Sequence, residues 1–586
     1  MARSRTLSKP KRTKSAALKK KKAKKKAKRK KNKKRQGKGA ELSKKEQRAL
    51  KKQRDRQWKE LKQNISKFFG MGLFLGIFAG LASGDPKLVV LPIAAFLAMG
   101  LSYQYPRKAL WFFIVYLPFS GTVTYAIGNS PILQLAKDGF YLPALIRLAQ
   151  ECKQNKQPLF INQAIKTPLL IVFAYCCVVV MVVNGGQQFD PKYYGQPILM
   201  GILGLKVFLG YAPLMFCAYY LVKDKATLVF LMRLTAIVII VCCSLGFIQY
   251  VFLLTGICPP TQGEGDALFK ASLDAKCFVG GALLYTPSQG VIRLPGTFVA
   301  PWQWGWFLIS ASFLSFATAF NDPKIPWRMV GFAAMAANFV MAVVSGQRIA
   351  LALVPVTTIM LLVMTGQLAN LKRFLPIATI LPIVLGVAIA QNPELVGERL
   401  ESFESRWNAS PPHAFITHQI EWALNEQDGV LGNGLGRATN SARVFGKTHL
   451  VETYYPKVMY EVGTFGAILF LALVTVITIQ CFKCYRKPRD AALRGYGAAF
   501  WVFVLVISYN TYYYPLDVDP VAVYYWFFAG VILRVPEMDR LEKARLKQLA
   551  LEEEGIAPSI PSTPRQRRSR SRAMEPIPTV RSSIPP

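Results

Sequence analysis

The side chains able to do chemistry are few and unevenly placed. All three histidines, His413, His418 and His449, fall in one polar stretch, residues 391–457. The same stretch holds Gly432-Asn433-Gly434-Leu435-Gly436 and closes on His449-Leu450-Val451-Glu452-Thr453-Tyr454-Tyr455. His449 and Glu452 are three apart, a spacing that shares one face on a helix. A neutral imidazole or a carboxylate can take the proton from an attacking hydroxyl, so both are candidates for a general base. His413 and His418 are expected to be bystanders. Upstream, Arg293 opens Arg293-Leu294-Pro295-Gly296-Thr297-Phe298, and Arg348 closes Ser345-Gly346-Gln347-Arg348; each stands beside an apolar run. Lys206 lies inside another such run. Two guanidiniums and an ammonium suit a diphosphate, because arginine offers a two-pronged fork to phosphate oxygens.

The elements that must position these residues are membrane helices. The chain has 586 residues, 52% hydrophobic, and a mean hydropathy of +0.25. Apolar runs long enough to cross a bilayer recur along it. They read as 68–84, 88–104, 109–127, 131–149, 168–185, 197–222, 226–256, 299–320, 328–344, 348–366, 372–390, 458–480, 495–513 and 520–534. The expected fold is therefore an all-α polytopic integral membrane protein of about 12–14 transmembrane helices. The fourth run is interrupted by Lys137 and Asp138. Counting it as a span, with an intramembrane Lys137–Asp138 pair, keeps every short basic loop on the side of the N-terminus. Leaving it out turns the basic loops after residue 150 outward, against the positive-inside rule. This topology puts both termini in the cytoplasm and the loops 257–298 and 391–457 outside.

The expected organisation follows: a basic cytoplasmic tail, 1–66; an N-terminal transmembrane bundle, 67–256; a first external loop, 257–298; and central helices, 299–390. After these come the large external loop, 391–457, C-terminal helices, 458–534, and a cytoplasmic tail, 535–586. The formal net charge is +42, and residues 1–60 hold 29 Lys/Arg against 4 Asp/Glu. Residues 1–40 have too few large apolar side chains to fold alone. From Glu41, the positions of Leu50, Trp58, Leu61, Ile65 and Phe68 predict a basic amphipathic helix leading into the first span. Anionic membrane lipid is the expected partner of this tail. No folded nucleic-acid module accompanies it, so nucleic acid is not.

Of the ten cysteines, Cys258 and Cys277 share the first external loop, where an oxidising compartment would allow a disulfide. Cys481 and Cys484 form a CxxC with no second pair or histidine nearby, so no metal site is expected there. Asp517-Val518-Asp519 directly precedes an apolar run and reads as a helix cap. The glycine cluster follows no strand and reads as a turn that brings the loop back to the membrane. No metal and no cofactor are expected.

The ordered motifs, RxxGTF at 293–298, SGQR at 345–348, LGNGLG at 431–436, and Glu452-Thr453-Tyr454-Tyr455 leading to Glu461-Val462-Gly463-Thr464-Phe465-Gly466, resemble the O-antigen ligase and polymerase family. The resemblance covers about residues 195–480. The basic tail with this core is similar to cyanobacterial polysaccharide-biosynthesis proteins of the hormogonium type. The resemblance implies a membrane-embedded, GT-C-like, metal-independent and inverting glycosyltransferase in a bacterial inner membrane, acting in surface polysaccharide biosynthesis. Such a protein moves a glycan from a polyprenyl diphosphate to a glycan or lipid acceptor hydroxyl on the external face, beside other polysaccharide assembly proteins. It implies that Arg293 and Arg348 hold the diphosphate, with Lys206 added here on its depth. The family's histidine, usually followed by asparagine, falls on Glu452-Thr453, with His449 three residues earlier; both remain open as the base. Two other readings stay open: a lipid-linked oligosaccharide flippase or transporter, and an inactive subunit of an assembly or export complex.

Overall fold

The computed structural model describes residues 44–84, 87–127, 137–158, 162–258, 276–281, 284–286, 291–367 and 410–554, with a few isolated positions between 397 and 408. The predicted span 372–390 and most of both tails lie outside the described residues. The chain divides into two compact units, 1–101 and 102–586.

In the first unit, α1 (Lys44–Ser83) is one continuous helix of 40 residues, running from the basic segment into apolar sequence. It packs on α2 (Lys87–Gln104). The contact is close because small residues permit it: a Cβ on Gly72 would lie 2.6 Å from the Ile93 Cα, and one on Gly76 2.5 Å from the Val89 carbonyl oxygen.

The second unit is a helical assembly. Its elements are α3 (Pro106–Tyr116), running through one 3₁₀ turn into α4 (Ser120–Ile127), then α5 (Asp138–Gln154) and α6 (Gln163–Val179). A π-helical segment, Val180–Asn184, leads to α7 (Gly185–Phe189), followed by α8 (Pro197–Leu209), α9 (Leu214–Leu221) and α10 (Lys225–Leu254). After four short strand segments come α11 (Pro301–Asn321), α12 (Ile325–Val344), α13 (Arg348–Met364) and α14 (Pro412–Glu426). The unit ends with α15 (Tyr454–Arg486), α16 (Ala491–Tyr509) and α17 (Val521–Glu554). Among the described residues, nine helices are long and apolar enough to cross a membrane, and α13 is a shorter apolar one. The protein is a multi-pass membrane protein.

The core forms around α11. Every residue from Trp304 to Asn321 is buried, as expected of a helix that is apolar on all sides. Its few hydroxyls bond back to their own helix: Ser310 to the Trp306 carbonyl at 2.8 Å, and Thr318 to that of Leu314 at 3.0 Å. Such a helix needs no water, so α10, α12, α13 and α16 can close around it.

The expected disulfide joins Cys258, after α10, to Cys277 on the first short strand. The buried Gln249 amide donates to the Cys277 and Gly281 carbonyls and holds that strand on α10. With the cysteines 19 positions apart, Cys258→Ser is expected to lower stability by about 2–4 kcal/mol. The thermal midpoint with and without reductant checks this. An unchanged midpoint in both the variant and the reduced protein would count against it.

Lys137 and Asp138 do not pair with each other, contrary to the expectation. Consecutive residues at a helix start point in different directions. Lys137 bonds Asp519, and Asp138 lies 3.0 Å from the Lys206 ammonium.

Candidate functional site

The two arginine motifs meet. The Leu294 N–H donates to the Ser345 carbonyl at 3.0 Å, joining the turn of Arg293 to that of Arg348. Both turns use glycines in the left-handed region, Gly296 at φ +56° and Gly346 at φ +69°. Gly296 lies flat on Trp304, where a Cβ would come within 2.4 Å of the indole. The Thr122 N–H on α4 donates to the Thr297 carbonyl at 3.2 Å and closes the other side. Both arginines are half-buried, and Arg348 is the first residue of α13.

The proposed base segment is tied to the same end of α11. Residues 447–452 have no regular secondary structure. His449 and Glu452 therefore do not share a helix face. Thr453 bridges Tyr512, the Tyr454 N–H donates to the Thr511 carbonyl at 2.6 Å, and the Tyr513 N–H donates to the Glu452 carbonyl at 3.0 Å. On the other side of Tyr513, the Trp306 indole N–H donates to its carbonyl at 3.1 Å. The Glu452 segment is thus tied through Tyr513 to Trp306, and the turn of Arg293 lies against Trp304, two residues earlier and on another face of α11. Tyr513 and Tyr514 adopt φ of +56° and +36°, a conformation that costs non-glycine residues energy and marks this turn as held by its surroundings.

His449 takes a different place. Its backbone N–H donates to the Arg437 carbonyl at 2.8 Å. Its ring meets Tyr460 at 5.5 Å and Trp422 at 6.2 Å between centroids, and Trp422 stacks on Tyr460. His449 remains exposed. His413 and His418 are exposed on α14.

The glycine cluster is the turn expected, and packing explains its composition. Gly432, Gly434 and Gly436 have φ of +70°, +97° and +86°. The chain passes through gaps with no room for a side chain. A Cβ on Gly432 would lie 2.4 Å from the Gly463 nitrogen, and one on Gly436 2.2 Å from the Met200 carbonyl oxygen. The buried Asn184 amide, in the π-helical segment, donates to the Leu435 carbonyl and accepts from the Leu435 N–H. Buried Glu461 accepts from the Ala438 N–H at 2.8 Å and the Thr439 hydroxyl at 2.9 Å. Gly436→Ala is expected to cost about 2–5 kcal/mol, from left-handed strain and overpacking together. Gly429→Ala meets the same φ constraint at +60° with nothing within 4 Å of its Cβ, so it should cost far less. Thermal unfolding of both variants checks the contrast; equal losses would mean that strain alone set the sequence.

The remaining charges form pairs. Lys206 faces Asp138, with its ammonium 5.4 Å from the Tyr211 ring. Lys457, in the first turn of α15, bonds Asp517, and both are buried. Asp517 and Asp519 stand before α17, as a cap would, but each carboxylate takes a lysine from elsewhere in the chain. Among the described residues, no group of three or more His, Cys, Asp or Glu is placed to hold a metal. The structure therefore joins the turns of Arg293 and Arg348, ties the Glu452 backbone through Tyr513 to Trp306, packs the His449 ring on Tyr460 and Trp422, and gives Lys206 a carboxylate. Sequence reasoning missed Arg437, Lys457 and Glu461. For Lys457 and Glu461 the signal was an ionisable residue at the start of a long apolar run; Arg437, in the middle of the polar stretch, carried none.

The chain matches no protein-family model and no curated protein.

Proposed function

We propose that the protein transfers or polymerises a polyprenyl-diphosphate-linked glycan onto an acceptor hydroxyl at the external face of a bacterial inner membrane. In this reading both termini are cytoplasmic, the helices form a GT-C-like scaffold, and the reaction inverts the anomeric centre without metal. The observation that carries it is the junction of the Arg293 and Arg348 turns, with the Glu452 segment tied by its backbone to the same end of α11. Displacement at an anomeric carbon needs a base on one side and neutralisation of a departing diphosphate on the other. Fixed guanidiniums supply the second, and Glu452 or His449 the first. The Cys258–Cys277 disulfide supports the external placement of that side, because such bonds persist in oxidising compartments. Lys206, held by Asp138, is better read as a positioning cation than as a diphosphate ligand.

The buried Lys–Asp pairs favour one competing reading, a flippase, since intramembrane ion pairs also line transport paths. Proteoliposomes loaded with a labelled polyprenyl-diphosphate glycan and an unlabelled acceptor separate the two. Transfer predicts label in the acceptor. Label that changes leaflet without a new glycosidic bond would establish translocation instead.

A further inference from the structure

One buried cation in the large loop has no counter-charge. Arg437 follows the glycine turn and is 7% exposed. Its Nε and Nη2 both donate to a single neutral oxygen, Gln187 Oε1, at 2.9 and 2.7 Å. Gln187 is fixed in turn by its amide, which donates to the Asn433 carbonyl at 2.8 Å. The guanidinium lies 4.8 Å from the centre of the Tyr193 ring. Among the described residues, no carboxylate stands within ion-pairing distance of it. Burial pulls its pKa below the ordinary arginine value. A buried charge is normally paired, because desolvation without a partner is costly. The glycine turn before it is tightly packed and fixes its backbone, and the two bonds to Gln187 hold the guanidinium.

The surroundings match. From Gly429 to Val451 the loop has three cations, Arg437, Arg443 and Lys447, and no carboxylate; its acidic residues lie at or before Asp428 or at Glu452. Arg443 and Lys447 are exposed. The segment 190–196 is clipped to this face by the Gly195–Gly446 bridge and by the Gln196 N–H donating to the Phe445 carbonyl at 2.7 Å. It adds exposed Lys192 and two tyrosines, Tyr193 over Arg437 and Tyr194, which is 88% exposed. Its one acid, Asp190, accepts from the Lys192 backbone N–H. Tyrosine faces take the apolar side of a sugar ring, and the guanidinium hydrogens not used on Gln187, those of Nη1 and the second of Nη2, can take a carboxylate.

We propose that Arg437, Tyr193 and Tyr194 form a subsite for a sugar bearing a carboxylate, so that the glycan handled by this protein is acidic. The proposal rests on the glycan reading above and names the substrate class for it. A lipid headgroup would be met by exposed lysines alone; a buried, preorganised fork under an aromatic ring favours a shaped ligand.

The test uses the full chain in nanodiscs of zwitterionic lipid and measures binding without turnover. The probes are trigalacturonate and its methyl ester, which has the same rings without the charge. The wild type is expected to prefer the acid by about tenfold or more, the scale of one charge-assisted hydrogen bond. Arg437→Gln should bring the acid to the level of the ester, and Tyr194→Ala should weaken both. If Arg437→Gln does not fold, the exposed double variant Arg443→Gln, Lys447→Gln must still reduce the preference for the acid. Equal wild-type binding of acid and ester overturns the proposal, as does a folded Arg437→Gln that keeps the preference. So does a wild type that ignores trigalacturonate but binds phosphatidylglycerol. Loss of transfer in the proteoliposome assay, with the acid preference intact, would remove the enzyme reading and leave this subsite standing.

Discussion

Arg348→Ala is expected to cut glycan transfer by about 10²–10³-fold, the usual loss when one fixed donor to a developing negative charge is removed. The turn that presents it is held by backbone bonds, the Leu294 N–H to the Ser345 carbonyl among them, so removing the side chain should leave the fold intact. Arg348→Lys should recover only part of the rate, because an ammonium keeps the charge but loses the planar fork. Glu452→Gln and His449→Gln then identify the base. The true base should lose about 10²–10⁴-fold and flatten the pH profile, and the other variant should lose little. Rates with a labelled polyprenyl-diphosphate donor, alongside thermal midpoints, decide this. Full transfer by Arg348→Ala together with Glu452→Gln would remove both from the mechanism. The geometry leans towards Glu452, whose segment is tied by its backbone to the same end of α11 as the arginine turns, whereas His449 packs against Trp422 and Tyr460.

The second large effect is on stability. Lys457→Met leaves Asp517 buried and without its cation. Breaking one side of a buried ion pair typically costs about 3–5 kcal/mol, because the remaining charge keeps its desolvation penalty. The double variant Lys457→Met, Asp517→Leu removes both charges and should regain most of that loss. Thermal or denaturant unfolding of the two singles and the double closes the cycle. Additive losses would show that the two side chains act independently, and no pairing energy could then be assigned. Lys206→Met should show a smaller loss, since Lys206 is more open to solvent than Lys457.

Much of the fold is legible without coordinates because hydropathy is local. A long apolar run must satisfy its own backbone within the run, so it becomes a helix whatever packs on it. That is why α3 with α4, α10, α12, α15 and α16 lie close to the ranges read from composition. The Cys258–Cys277 bond was readable because these are the only two cysteines in the first loop. The turn at 432–436 was readable from its glycines.

Other features depend on segments far apart in the chain. Lys457 finds its carboxylate 60 residues away, and Lys137 finds one 382 away; no periodicity encodes such choices. Lys137 and Asp138 are neighbours in sequence, and only packing shows that each turns to a different segment. The helical spacing of His449 and Glu452 lost its meaning because the helix begins only at Tyr454, after Thr453 bridges Tyr512. For the long polar stretch, composition alone determined that it holds every histidine, that it has cations but no acid between Gly429 and Val451, and that it turns on glycine. Tertiary structure decided which groups it brings to which partner. The contacts at Met200, Asn184 and Gly463 fix the turn, and they leave Arg437 buried beneath Tyr193.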